Sequence, residues 1–161
     1  MATTVLILPQ RQTVLVAKQV AQLAVLSNNR FRLGIGVGWN KIEYEGLNET
    51  FENRGRRQEE QVMVMRDLWT QDSLDFEGEF HRIDKASINP RPAESIPIWF
   101  GGSAPALIER VARLGDGWMP LMGANEKAAE CIRKIREARE REGKNMDGFG
   151  IQAQAQYNGG T

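Results

Sequence analysis

An α/β fold on a mostly parallel sheet is predicted for this chain, and three observations carry the prediction. Five short apolar runs end at breakers, segments of helical period lie between them, and asparagine or glycine stands where three of those segments stop. Strands that alternate with helices are joined by right-handed crossovers, which leave neighbouring strands parallel. Two architectures satisfy this pattern: an arc of about five strands from a (β/α)₈ barrel, with helices outside only, or a doubly wound flavodoxin-like sheet with helices on both faces.

Residues 5–8 form the first apolar run, and Pro9 breaks it. Over residues 13–26, Val16, Val20, Leu23 and Ala24 recur at steps of three and four, predicting a helix that Ser27, Asn28 and Asn29 stop. Residues 31–37 read as the second strand. Residues 53–70 read as a helix, charged at first and then apolar at Val62, Met65, Leu68 and Trp69, a face suited to a sheet. Over residues 71–95 the helical period vanishes. Leu74, Phe76 and Phe80 alternate around Gly78 as in a small hairpin, with Pro90 and Pro92 behind it. A strand at 96–100, a helix at 104–114 stopped by Gly115, a strand at 118–122, a helix at 126–142 closed by Gly143 and a strand at 149–155 complete the order. Residues 158–161 are expected to fray. No repeat or linker divides the chain, so residues 1–161 are expected to form a single domain, with 71–95 as a hairpin-containing insertion.

Composition narrows the function. The 161 residues carry 21 basic and 21 acidic side chains, so no net field draws the chain to nucleic acid or an anionic membrane. One cysteine and one histidine exclude an internal disulfide and a zinc cluster of the usual kind, and no metal is expected. The apolar stretches are too short to span a bilayer and none resembles a signal peptide, which reads as a cytoplasmic protein.

Gly34, Gly36 and Gly38 alternate through the second strand and are expected to bare one face, for a ligand ring or for a close-packed neighbour. The spacing is not the dinucleotide fingerprint. Gly101, Gly102 and Ser103 stand between a strand and a helix, where free N–H groups, a hydroxyl and the helix dipole can hold a phosphate. The alternative is an ordinary turn with Ser103 as N-cap and Pro105 near N1. Arg54, Arg56, Arg57, Glu59 and Glu60 read as a solvated face of i,i+3 and i,i+4 pairs. Glu43 and Glu45 fall in a predicted loop, Cys131 on an apolar helix face as an inert thiol, and His81 on the surface of the hairpin.

Several segments keep a recognisable order: Ser27-Asn28-Asn29-Arg30-Phe31-Arg32-Leu33-Gly34-Ile35-Gly36-Val37-Gly38-Trp39, Arg54-Gly55-Arg56-Arg57 with Glu60, and Pro97-Ile98-Trp99-Phe100-Gly101-Gly102-Ser103. Leu114-Gly115-Asp116-Gly117-Trp118 closes the series. In this order the chain resembles the bacterial luciferase-like monooxygenase superfamily, and within it the deazaflavin-dependent (coenzyme F-420) branch. The usual Ser-Gly-Gly-Arg turn of that family is here Ser27-Asn28-Asn29-Arg30. The resemblance implies a (β/α)₈ barrel fold, an oxidoreductase or monooxygenase activity on a small-molecule substrate, and FMN or coenzyme F-420 as cofactor. It implies that Gly101, Gly102 and Ser103 hold the cofactor phosphate and that Val37, Gly38, Trp39 and Asn40 border its ring and side chain. Thr3, Thr4 and Val5 correspond to the strand behind the flavin, where family members often have a cis peptide.

A full barrel needs about 250 residues, so the resemblance implies a truncated one that runs from the family's third strand to near its seventh. No catalytic acid or base is assigned. A non-catalytic binding or structural module and a flavodoxin-like electron carrier are the alternatives. Open strand edges and an inner face exposed at Val37 and Ile98, or at their alternating neighbours, predict a homodimer or higher assembly joined through the inner sheet surface or the edges.

Overall fold

The first apolar run yields to its breaker earlier than its length suggests. In the computed structural model, described for residues 1–120 and 122–153, β1 is only Leu6–Ile7, and Pro9 sits in a 3₁₀ turn at Leu8–Gln10. The chain forms two compact units, Met1–Ile96 and a second that begins at Pro97.

In the first unit β1 runs parallel to β2 (Leu33–Gly36), with Leu6 opposite Ile35 and Ile7 opposite Gly36. The connection is α1 (Thr13–Leu26), whose boundaries match the periodicity. Asn28 and Asn29 then take φ of 52° and 55°, a left-handed turn that asparagine tolerates better than most residues. The buried residues of α1 are Val16, Ala17, Val20, Ala21 and Ala24, whereas Leu23, expected in the core, is 37% exposed. Small alanines let α3 (Arg54–Thr70) approach closely, and Trp69 Nε1 donates to the Ala17 carbonyl at 3.0 Å. Between them lies a short helix, α2 (Lys41–Gly46). The predicted hairpin is present as β3 (Leu74–Glu77) and β4 (Arg82–Ala86), antiparallel with an irregular register between Leu74 and Phe76. Among the described residues two peptide bonds are cis, Thr4–Val5 and Asn89–Pro90. The first falls where the family resemblance places one.

The second unit holds β5 (Ile98–Gly101), β6 (Gly117–Met119) and β7 (Gly150–Ile151), paired in parallel, with α4 (Pro105–Leu114) and α5 (Glu126–Arg141) between them in sequence. Asp116 Oδ2 accepts from Ile98 N–H at 2.8 Å, and the Asp116 N–H donates to the Ile98 carbonyl at 2.9 Å, locking the turn into β6. Arg139 reaches from α5 to the end of α4, where it donates to the Gly115 carbonyl at 3.3 Å, and from Nε to Asn145 O at 2.7 Å. Its guanidinium lies 4.5 Å from the Phe149 ring centroid. Trp99 lies over two glycines: a Cβ at Gly117 would sit 2.4 Å from its ring and one at Gly150 only 1.9 Å. Both positions must therefore lack a side chain.

The last strand is shorter than the predicted 149–155, and that expectation from residue 154 on, with the fraying at 158–161, lies outside the described residues. The expected water-exposed inner face is corrected, because Ile98 is fully buried, Val37 is half-buried and every residue of β2 and β5 is buried. A run of exposed apolar side chains lies instead on α1, at Val14, Leu15, Val25 and Leu26, the last 84% exposed. Among the described residues no helix is long and apolar enough to cross a membrane, and no group of three or more His, Cys, Asp and Glu could hold a metal.

Candidate functional site

Residues 37–40 follow β2 and are held from three directions within the first unit. Gly38 has φ of +69°, and a Cβ there would lie 3.0 Å from Ile7 Cγ2 and 3.6 Å from Tyr44 Cε2. Tyr44, fully buried on α2, donates its hydroxyl to the Val37 carbonyl at 2.5 Å. Asn40 caps α2: its Oδ1 accepts from Ile42 N–H at 3.2 Å, and its Nδ2 donates to Glu43 Oε1 at 3.2 Å. Glu43 Oε2 in turn accepts from Gln10 Nε2 at 3.2 Å. Trp39 alone projects, 86% exposed.

Two expectations change here. Glu43 and Glu45 lie on a helix rather than in a loop, one too short at six residues to show a period. The three glycines also do not share one bare strand face. Gly38 is beyond the strand, and a Cβ at Gly36 would meet Val5 Cγ2 at 2.9 Å, so close packing by β1 and the residue before it accounts for Gly36.

In the second unit Gly101 ends β5, and Gly102 turns the chain with φ of +118°, a conformation that suits glycine. Gly102 is fastened to β6 on both sides. Its N–H donates to the Met119 carbonyl at 3.2 Å, and its carbonyl accepts from Trp118 Nε1 at 2.7 Å. The N-cap of α4 is Ala104 rather than Ser103, with no side-chain cap bond, and Pro105 occupies the first turn. Capping therefore does not use the Ser103 hydroxyl; Pro105 brings no N–H, and the Leu107 and Ile108 N–H groups donate to the Ala104 carbonyl at 2.9 and 3.3 Å. Ser103 also lines a groove of about 240 Å³ whose charged residues, Lys134 and Arg141 with Glu109 and Glu137, balance in sign. Cys131, which also lines it, is buried and unpaired.

A glycine-hinged loop at a helix N-terminus, after a strand of a parallel α/β unit, is one recurring way to hold a phosphate. Residues 1–157 match the family model described as luciferase-like monooxygenase. The chain belongs to the luciferase-like monooxygenase family. It is 36% identical over 138 residues to an F420-dependent glucose-6-phosphate dehydrogenase of Mycolicibacterium gilvum, covering 82% of this chain and 41% of that relative. It is also 36% identical over 108 residues to an FMNH(2)-dependent dimethylsulfone monooxygenase of Pseudomonas fluorescens, covering 65% of this chain and 30% of the relative. Among solved structures, an F420-dependent secondary alcohol dehydrogenase in complex with an F420-acetone adduct superposes with a TM-score of 0.82 at 25% identity. That match covers 94% of this chain and 48% of the other. The chain thus spans about half the length, or less, of the relatives it matches. Its parallel strands and helices follow the luciferase-like α/β architecture rather than a flavodoxin-like sheet.

The luciferase-like chain carries a polar cluster that pattern reading missed. Glu60, buried on α3, accepts from the N–H groups of Glu79 and Phe80, both at 2.8 Å, and from His81 Nδ1 at 2.8 Å. The other imidazole nitrogen lies 2.5 Å from Thr13 Oγ1. Gln61 Nε2 donates to the same hydroxyl at 3.0 Å and to the Leu8 and Arg11 carbonyls. Carboxylate, imidazole and hydroxyl stand in the order of a nucleophilic triad. Thr13, however, is only 4% exposed and its oxygen already accepts from Gln61, so the cluster joins the hairpin to α1 and α3 instead of attacking a substrate.

His81 is therefore a partly buried tie, not a free surface histidine. The arginine pattern also differs from the expected pairs within the helix, because Arg57 reaches Glu49 at 2.7 Å and Arg56 reaches Glu79 at 2.6 Å. Gly78 is required by the same cluster, since a Cβ there would lie 2.6 Å from the Glu60 carboxyl.

Burial alone would raise the Glu60 pKa, but the His81 hydrogen bond and the hairpin N–H groups outweigh it and hold the carboxyl below its ordinary value. The folded-state value is thus below the unfolded one. The stabilisation is present above the usual glutamate value of about 4.3 and is lost as pH falls through the folded-state value. Thermal melts across pH are expected to show wild type losing stability in that acid range more steeply than Glu60→Gln, which is already less stable at neutral pH.

Proposed function

We propose that this chain binds FMN or coenzyme F-420 and serves a flavin- or deazaflavin-dependent oxidoreductase or monooxygenase acting on a small-molecule substrate. Gly101, Gly102 and Ser103 hold the cofactor phosphate in this reading, and Val37, Gly38, Trp39 and Asn40 border its ring and side chain. The observation that carries it is the state of the 101–103 loop. Gly102 is locked in a glycine conformation against β6, while the hydroxyl of Ser103 is left outside the helix cap. The cofactor requirement of the relatives named above points the same way.

A flavin or deazaflavin supplies hydride or oxygen chemistry when bound, and the protein's part is to bind and orient it. The Ser103 hydroxyl and the positive end of the α4 dipole would hold the phosphate by hydrogen bonding and dipole attraction, and Trp39 would offer a flat apolar surface to a ring. A cytoplasmic setting belongs to the same proposal.

Titration of the purified chain with FMN and with coenzyme F-420, followed by tryptophan fluorescence, tests the reading. Trp118 reports on the loop through its bond to Gly102, and the exposed Trp39 reports on the ring segment. Saturable quenching by at least one cofactor is expected; no quenching by either overturns the proposal.

We further propose a homodimer, now through α1 rather than the inner sheet. The groove of about 620 Å³ beside α1 is lined by Gln19, Gln22, Leu23, Val25, Leu26 and Pro90, and its uncharged surface suits a self-complementary contact. Sedimentation equilibrium is expected to show a dimer at micromolar concentration, and Leu26→Lys a monomer of unchanged fold.

A further inference from the structure

We propose that Tyr44 is a positioning residue whose hydroxyl sets the direction in which Trp39 is presented, an inference that rests on the assignment of residues 37–40 to the cofactor ring. The Val37 carbonyl belongs to the peptide plane between Val37 and Gly38. Because Gly38 has no side chain and takes a left-handed φ, that plane has little intrinsic preference of its own. The hydroxyl of Tyr44, 2.5 Å from the carbonyl oxygen, is what orients it.

Tyr44 can do this because its own place is fixed. The ring is fully buried and meets Phe51 edge-on, with centroids 5.4 Å apart and planes at 82°. Phe51 is held in turn by Arg54, whose guanidinium lies 3.6 Å from the ring centroid and whose Nη1 donates to the Phe51 carbonyl at 2.8 Å. Burial pushes the phenol up to about 12, so it remains a neutral donor across the physiological range. Ile7 closes the other side of Gly38, and the capping bonds of Asn40 fix the segment's far end. Anchors at Val37, Gly38 and Asn40 thus flank one unanchored side chain, Trp39, which is left 86% exposed. A large apolar ring held in water by a rigid backbone is suited to stack on a planar ligand.

Tyr44→Phe deletes a single oxygen and tests the claim through two independent readouts. In the unliganded protein, amide hydrogen exchange of residues 38–40 is expected to rise about tenfold or more, while exchange in α1 and α3 stays at the wild-type rate. In the cofactor titration, quenching of Trp39 is expected to require about tenfold more ligand, with the Trp118 response retained. Unchanged exchange at 38–40 overturns the proposal, as does a rise spread evenly over the first unit, which marks a merely structural role. If wild type binds neither cofactor, the functional reading falls, and the exchange result still decides whether Tyr44 orients the segment. Phe51→Leu keeps the hydroxyl but loosens its support, and a smaller rise confined to the same residues is expected from it.

Discussion

Ser103→Asp is expected to weaken binding of FMN and of coenzyme F-420 by about a hundredfold or more while leaving the melting temperature within a few degrees of wild type. A carboxylate at this position competes for the same N–H groups that would face the phosphate and repels its charge. A hundredfold loss corresponds to about 2.7 kcal/mol, the scale of one charge conflict in a partly desolvated site. The fold does not suffer, because an acidic side chain before α4 interacts favourably with the helix dipole. Gly102→Asp should also abolish binding, but for a mixed reason. Its φ of +118° is strained for any side chain, and a Cβ there lies 3.3 Å from Leu107 Cδ2, so this variant should melt earlier as well. Comparing fluorescence titrations and thermal melts of the two variants separates charge from backbone. Wild-type affinity in Ser103→Asp would reduce the loop to a turn.

Gly150→Ala should destabilise the second unit by roughly 3 kcal/mol, at the upper end of what overpacking ordinarily costs. The added methyl group would lie 1.9 Å from Trp99 Cζ2, so the indole must leave its place on the sheet. Gly117→Ala meets the ring at 2.4 Å and also the Gly150 carbonyl oxygen at 2.8 Å, and backbone yields less readily than a side chain. In a Trp99→Leu background the cost of Gly150→Ala should shrink, while that of Gly117→Ala should largely persist. Urea unfolding of the single and double variants measures both differences. Equal costs in both backgrounds would show that Trp99 does not impose the glycines.

The family and most of the architecture were legible before any coordinates. The 13–26 periodicity matched α1 to the residue, the helix at 53–70 was placed within one residue, and the hairpin lies inside the predicted 71–95 insertion, with Phe80 in its turn and not in a strand. Such elements are legible because burial of one face repeats at a fixed interval along the chain, and because Gly and Asn mark where left-handed residues end it. The short α2 offered less than two turns of that repeat and was read as a loop.

The site's supports were not legible for a different reason. Thr13 and His81 are 68 positions apart, and His81 and Glu60 are 21 apart, so no spacing rule relates them. His81 looked like a surface residue because its hairpin is exposed in sequence terms. Only the approach of α3 brings the Glu60 carboxylate under the turn. Gly117 and Gly150 likewise read as a motif residue and a residue inside the predicted strand 149–155, and only the packed structure lays Trp99 across both. Local patterns determine which residues are buried and in which element. The identity of the atom that meets each buried polar group or bare glycine depends on how separate elements pack, and that was decided only in the tertiary structure.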